Sequence, residues 1–123
     1  MGKQLANTVI AVLVAVLIGF GGAWADGFLS GFEDMPLMAP LVDVPDAKVT
    51  FDSAAGRIVI AVAEGQVEAS AVLRYYRQLL PQLGWKAAAF GPGFVREDEY
   101  LVIDFPAREG SLTVVRFTLT PRP

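Results

Sequence analysis

The sequence predicts a small α+β domain: one helix packed in two layers on a mostly antiparallel sheet, in ββαβββ order, behind an N-terminal hydrophobic helix. Three observations predict it. A single amphipathic stripe runs from Ala69 to Leu83, runs of alternating β-branched residues flank it on both sides, and turn-forming residues cluster between those runs. One helix among several strands is the pattern of a helix laid across one face of a sheet.

The first 25 residues stand apart. Lys3 and the amino terminus are cationic, Val9 to Phe20 is an apolar run, and Gly21, Gly22, Ala23 and Ala25 are small. These are the three zones of a secretory signal peptide, with Ala23-Trp24-Ala25 as an A-x-A cleavage site before Asp26. Counted from Leu5 to Ala25, the same stretch is long enough to span a bilayer as a single helix, with Trp24 at the far interface and Gly19, Gly21 and Gly22 as small contact residues. Either way the rest of the chain is delivered across the inner membrane, to be free in the periplasm or anchored at its outer face.

Residues 26–47 form the next unit. Pro36, Pro40 and Pro45 forbid a continuous helix and push the residues before them toward extended geometry, so an irregular arm is expected. It carries Phe28, Leu29, Phe32, Met35, Leu37, Met38 and Leu41, which need cover. Its open placements are along its own domain, completing a small core, or in a groove on another protein or against the membrane surface, to which adaptable Met and Phe side chains are suited; Glu33, Asp34, Asp43 and Asp46 disfavour an anionic bilayer.

Residues 48–123 form the domain. "KVTFDSAAGRIVIAVAEG" reads as a hairpin turning at Ser53 to Gly56, with Val49 and Phe51, then Ile58, Ile60 and Val62, alternating. Val59, Ala61 and Ala63 are also apolar, which suggests a central strand covered on both faces. The helix follows, with Ser70, Arg74, Arg77 and Gln78 on its wet side and an end at Pro81 and Gly84. Three further strands are expected at Trp85–Phe90, Glu99–Phe105 and Leu112–Leu119, the last two presenting Leu101, Ile103 and Phe105, and Val115, Phe117 and Leu119.

The residues present exclude much chemistry. The chain of 123 residues has no Cys and no His, which removes disulfides, thiolate chemistry and the commonest general base and metal ligand. Beyond residue 25, 9 basic residues face 13 acidic ones, a poor match for nucleic acid. Ser30, Ser53, Ser70 and Ser111 lack an activating base, and Gly91-Pro92-Gly93 lacks the Lys and helix of a phosphate loop. Glu97, Asp98, Glu99 and Asp104 are the one dense carboxylate group; they read as a solvated turn, with a carboxylate-only hydrolase as the remote alternative. No catalytic residue, cofactor or metal ligand is therefore expected.

The segments "FEDMPLMAPL", "FDSAAGRIV", "VLRYYRQLLPQLGWK" and "REDEYLVIDF" together resemble a group of small exported bacterial envelope proteins. In that group an export signal precedes a Pro/Met arm and a small α+β domain with a YY...LPQLGW helix end. The resemblance implies an envelope location and carries no catalytic residues. The expectation is a non-enzymatic accessory or protein-interaction module in the periplasm or at the outer face of the inner membrane. The alternative is a single-span accessory subunit of a membrane complex. Its partner is expected to be an envelope or membrane protein, met through Phe32, Met35, Leu37, Met38, Leu41, Arg74 and Arg77.

Overall fold

The computed structural model describes residues 27–123. The expected N-terminal helix, signal or anchor, lies outside the described residues. Strands β1 (Val42–Asp43), β2 (Val49–Ser53) and β3 (Gly56–Gly65) precede helix α1 (Ala69–Leu79), and β4 (Lys86–Ala87), β5 (Phe94–Arg96), β6 (Glu99–Glu109) and β7 (Leu112–Pro121) follow it. All seven strands join one antiparallel sheet in the order β1-β3-β7-β6-β5-β4, with β2 also paired to β3. The architecture is thus α+β and sheet-dominated. Two short strands, β1 and β5, were not expected, and the strand expected at Trp85–Phe90 is reduced to Lys86–Ala87 because Trp85 turns into the core.

The helix forms where the sequence places it. Val72, Tyr76 and Leu80, spaced by four, are fully buried against the sheet. At Pro81 the chain tightens into a 3-10 turn over Leu80–Leu83. Gly84 then takes the left-handed conformation, φ 90°, that ends the element, and its N–H bonds the Leu80 and Pro81 carbonyls.

Register decides which face of the sheet is core. Val59 pairs with Leu119, Ala61 with Phe117 and Ala63 with Val115, while Leu101 meets Leu119 from the other side. All seven are buried, so Phe117 is opposed by small Ala61 and has room to meet the Tyr76 ring edge-on at 5.2 Å. β3 is central, as expected, but the expectation that both its faces are covered is corrected. Its buried side is Val59-Ala61-Ala63, and Ile58, Ile60 and Val62 lie on the opposite face, half-buried, where no described helix covers them.

The arm lies against its own domain. Leu29, Met35 and Leu41 are buried in the same core as the helix and sheet, and Phe32 meets Phe117 edge-on at 6.4 Å. Burying three such side chains contributes about 1.5–3 kcal/mol each relative to leaving them exposed. Tyr76 ties the arm down: its hydroxyl donates to the Pro36 carbonyl at 2.8 Å and accepts from the Met38 N–H at 3.2 Å. β1 then continues the arm into the sheet, and Ser30 donates to Asp43 at 3.1 Å. At Gly65 a side chain would meet the Pro40 carbonyl at 3.0 Å, so this glycine lets the arm's backbone pass close over the end of β3.

Candidate functional site

Two features stand out among the described residues: a charged seam where the arm meets the sheet, and the open face of the sheet.

The seam is organised by Arg96, at the end of β5. The hairpin that follows closes through Glu97 and Asp98, with Glu97 at φ 54° and Arg96 paired with Glu99. From there the Arg96 guanidinium donates to Asp34 of the arm at 2.8 Å and to the Leu83 carbonyl at 2.9 Å, at the helix end, while stacking 4.4 Å from the Trp85 ring. One side chain therefore joins arm, helix end and sheet. Beside it Arg57 pairs with Glu99 at 3.7 Å. Two adjoining depressions share Asp34, Arg96 and Glu99; the larger, about 650 Å³, also reaches Lys86 and Arg122, and the smaller is walled by Trp85 and Leu119. The buried Trp85 indole N–H has no hydrogen-bond partner among the described residues.

Arg96 and Arg57 each face a carboxylate in this seam, Asp34 and Glu99. The carboxylates singled out in the sequence are dispersed. Glu97 and Asp98 form the exposed turn, Glu99 faces Arg57, and Asp104, on the opposite face of β6, makes a two-bond pair with Arg116 at 3.0 and 2.5 Å. The carboxylate of Asp104, hydrogen-bonded to Arg116, raises the guanidinium pKa further above its ordinary value. No group of three or more His, Cys, Asp or Glu among the described residues could hold a metal ion.

The open face is built from the even-numbered positions of β3 and β7. One full row crosses Val49, Ile60, Thr118 and Val102 and the next crosses Val62, Arg116 and Asp104, while on the other side Phe51 pairs with Ile58 and Thr120 with Tyr100. Val42, Val49 and Phe51 at its edge are 65%, 47% and 49% exposed. At the far end the Ala88–Gly93 loop folds back over Tyr100. Phe90 packs on its ring at 5.2 Å, the Gly93 N–H bonds its hydroxyl at 3.1 Å, and a side chain at Gly93 would strike the Tyr100 ring. That loop covers Tyr100 and leaves the Val49-to-Val62 side open.

The residues expected to meet a partner divide between core and surface. Met35 and Leu41 are buried, Phe32, Leu37 and Met38 are half-buried against the core, and Arg74 and Arg77 are exposed on the outer side of α1. The structure thus gathers the five arm residues into the domain and leaves the arginine pair alone on the helix. Arg96 and the Arg116–Asp104 pair were missed by sequence reasoning; the signal for the first is an arginine on a strand just before an acidic two-residue turn. No helix among the described residues is long and apolar enough to cross a membrane. No family model, no curated protein and no solved structure matches the chain.

Proposed function

We propose that this chain is a non-enzymatic, exported envelope protein that acts as an accessory or protein-interaction module, with the open face of its sheet as the contact surface. The observation that carries the reading is the edge-to-centre strip Val42, Val49, Phe51, Ile58, Ile60 and Val62. A sheet normally covers an apolar face, and a strip that no described helix covers, beside polar Thr118 and Thr120 and the Arg116–Asp104 pair, is suited to a protein partner.

Export rests on the N-terminal sequence. Lys3, the Val9–Phe20 run and Ala23-Trp24-Ala25 have the sequence pattern of an export segment, cleaved before Asp26 or retained as a single span that places the domain outside the cytoplasm. Burial of Leu29, Met35 and Leu41 adds a consequence for the anchored form: with the arm packed on the domain, little free chain separates membrane and domain. The resemblance to small exported envelope proteins fits this location. The acidic balance of the domain disfavours nucleic acid as the partner.

The test is the intact mass of the protein recovered from its host after separation of cytoplasm, periplasm and membranes. A periplasmic species beginning at Asp26, or a membrane species retaining the N-terminus, is expected. A full-length species confined to the cytoplasm overturns the proposal.

A further inference from the structure

The outer edge of β2 is free among the described residues, and its sequence is complementary to itself. Strand β2 pairs with β3 through Val49↔Ile60, Thr50↔Val59, Phe51↔Ile58, Asp52↔Arg57 and Ser53↔Gly56, around a two-residue turn. In such a hairpin the closing pair, Ser53 and Gly56, exchanges both backbone hydrogen bonds, and bonded positions alternate along the ladder. Ser53, Phe51 and Val49 therefore direct their backbone groups to β3. Thr50 and Asp52 direct theirs outward, and no described residue bonds them. All five residues of the strand are exposed.

We propose that two copies of this chain pair β2 with β2 antiparallel about a two-fold axis at Thr50, forming a dimer with one continuous sheet. The register follows from the outward groups and the charges. With Thr50 opposite its own copy, each Thr50 exchanges N–H and C=O with the other, and each Asp52 N–H meets the partner copy's Lys48 carbonyl. The Lys48 N–H is already used, on Pro45 at 3.2 Å. This register sets Lys48 across from Asp52 on one face, twice by symmetry, and Val49 across from Phe51 on the other. Sliding one step either way places Thr50 opposite Lys48 or Asp52 and leaves the opposite charges apart.

Short length and charged side chains commonly blunt an edge strand; here Lys48, just before β2, and Asp52, within it, lie symmetrically about Thr50, so in this register the charges attract across the two-fold axis. The 3-10 turn at Pro45–Ala47 on one side and the Ala54-Ala55 turn on the other limit the pairing to this short segment. Val49 and Phe51, at 47% and 49% exposed, gain cover from their counterparts. The two open faces become a single apolar strip twice as wide. The inference stands apart from export, because dimerisation is a property of the purified chain.

Sedimentation equilibrium of the chain as recovered from its host, over a concentration series, tests it. The native chain is expected to reach twice the chain mass. Lys48→Asp or Asp52→Lys alone converts two attractive cross-strand pairs to repulsive ones and is expected to weaken the dimer about tenfold or more. The double exchange K48D/D52K restores it. Thr50→Pro removes only an outward N–H, so circular dichroism is unchanged and the dimer is lost. A native chain that stays monomeric throughout, a dimer that survives Thr50→Pro, or a double exchange no better than either single one overturns the proposal.

Discussion

The hydroxyl of Tyr76 lies 2.8 Å from the carbonyl oxygen of Pro36, forty positions earlier in the chain, and accepts the Met38 N–H from the same turn of the arm. A buried phenol needs a partner for its polar end, and a proline-rich segment needs partners for backbone groups that no helix or sheet satisfies. Each answers the other's need. Tyr76→Phe keeps the ring on Phe117 but leaves the Pro36 carbonyl and Met38 N–H unpaired. It is expected to cost about 1–3 kcal/mol, with a fall in Tm of about 4–8 °C per kcal/mol, read by thermal denaturation.

The same contact predicts a pH dependence. Burial raises the Tyr76 phenol pKa well above its ordinary value, so the folded state holds this proton more tightly than the unfolded chain does. The stability it contributes is complete below about pH 10, the ordinary phenol value, and is lost as the pH climbs from there through the raised folded value. Unfolding free energy is expected to drop more steeply above about pH 10 in the native chain than in Tyr76→Phe, measured by denaturant titration. Equal slopes in the two contradict this.

Arg96 and Asp34 form a second tie between arm and sheet, and its partners rank its effects. The pair itself is partly exposed, the side chains at 26% and 47%, so Asp34→Asn is expected to cost below about 1 kcal/mol. Arg96→Ala also removes the bond to the Leu83 carbonyl and the stack on Trp85, for about 1–2 kcal/mol in all. Arg96→Lys is expected to recover little, because an ammonium cannot serve the carboxylate, the carbonyl and the ring at once. A double-mutant cycle on Asp34 and Arg96 measures the coupling.

Much of this frame is legible in the sequence. The helix stripe names Val72, Tyr76 and Leu80, and the spacing of two names Leu101 in β6 and Val115, Phe117 and Leu119 in β7, whose opposite faces mix Tyr100 and Val102 with polar Asp104, Arg116, Thr118 and Thr120. β3 misleads because both its faces are apolar. Size points to Ile58, Ile60 and Val62, yet the core takes the smaller Val59, Ala61 and Ala63, since helix and arm press close on a face that also holds Phe117. That choice rests on pairing with β7, which no local pattern encodes. The Arg96 seam joins residues 62 positions apart, and nothing near Arg96 in the sequence announces Asp34.

Adjacent residues of β3 turn the face assignment into a measurement. Val59→Thr puts a hydroxyl into the apolar core and is expected to cost about 1–3 kcal/mol; Ile60→Thr, on the open face, costs less than about 1 kcal/mol. Chemical denaturation of the two variants compares them. The reverse ranking would place the core on the other side of the sheet.

Site-specific photo-crosslinking in the living host tests the open face as a contact surface. A photo-reactive residue replaces Val62 or Val102 on the open face, and Ser70 or Arg74 on the outer side of the helix. A discrete adduct, heavier than the chain and of a mass other than twice its own, is expected from Val62 and Val102 and none from Ser70 or Arg74. Adducts from the helix positions with none from the open face would contradict it.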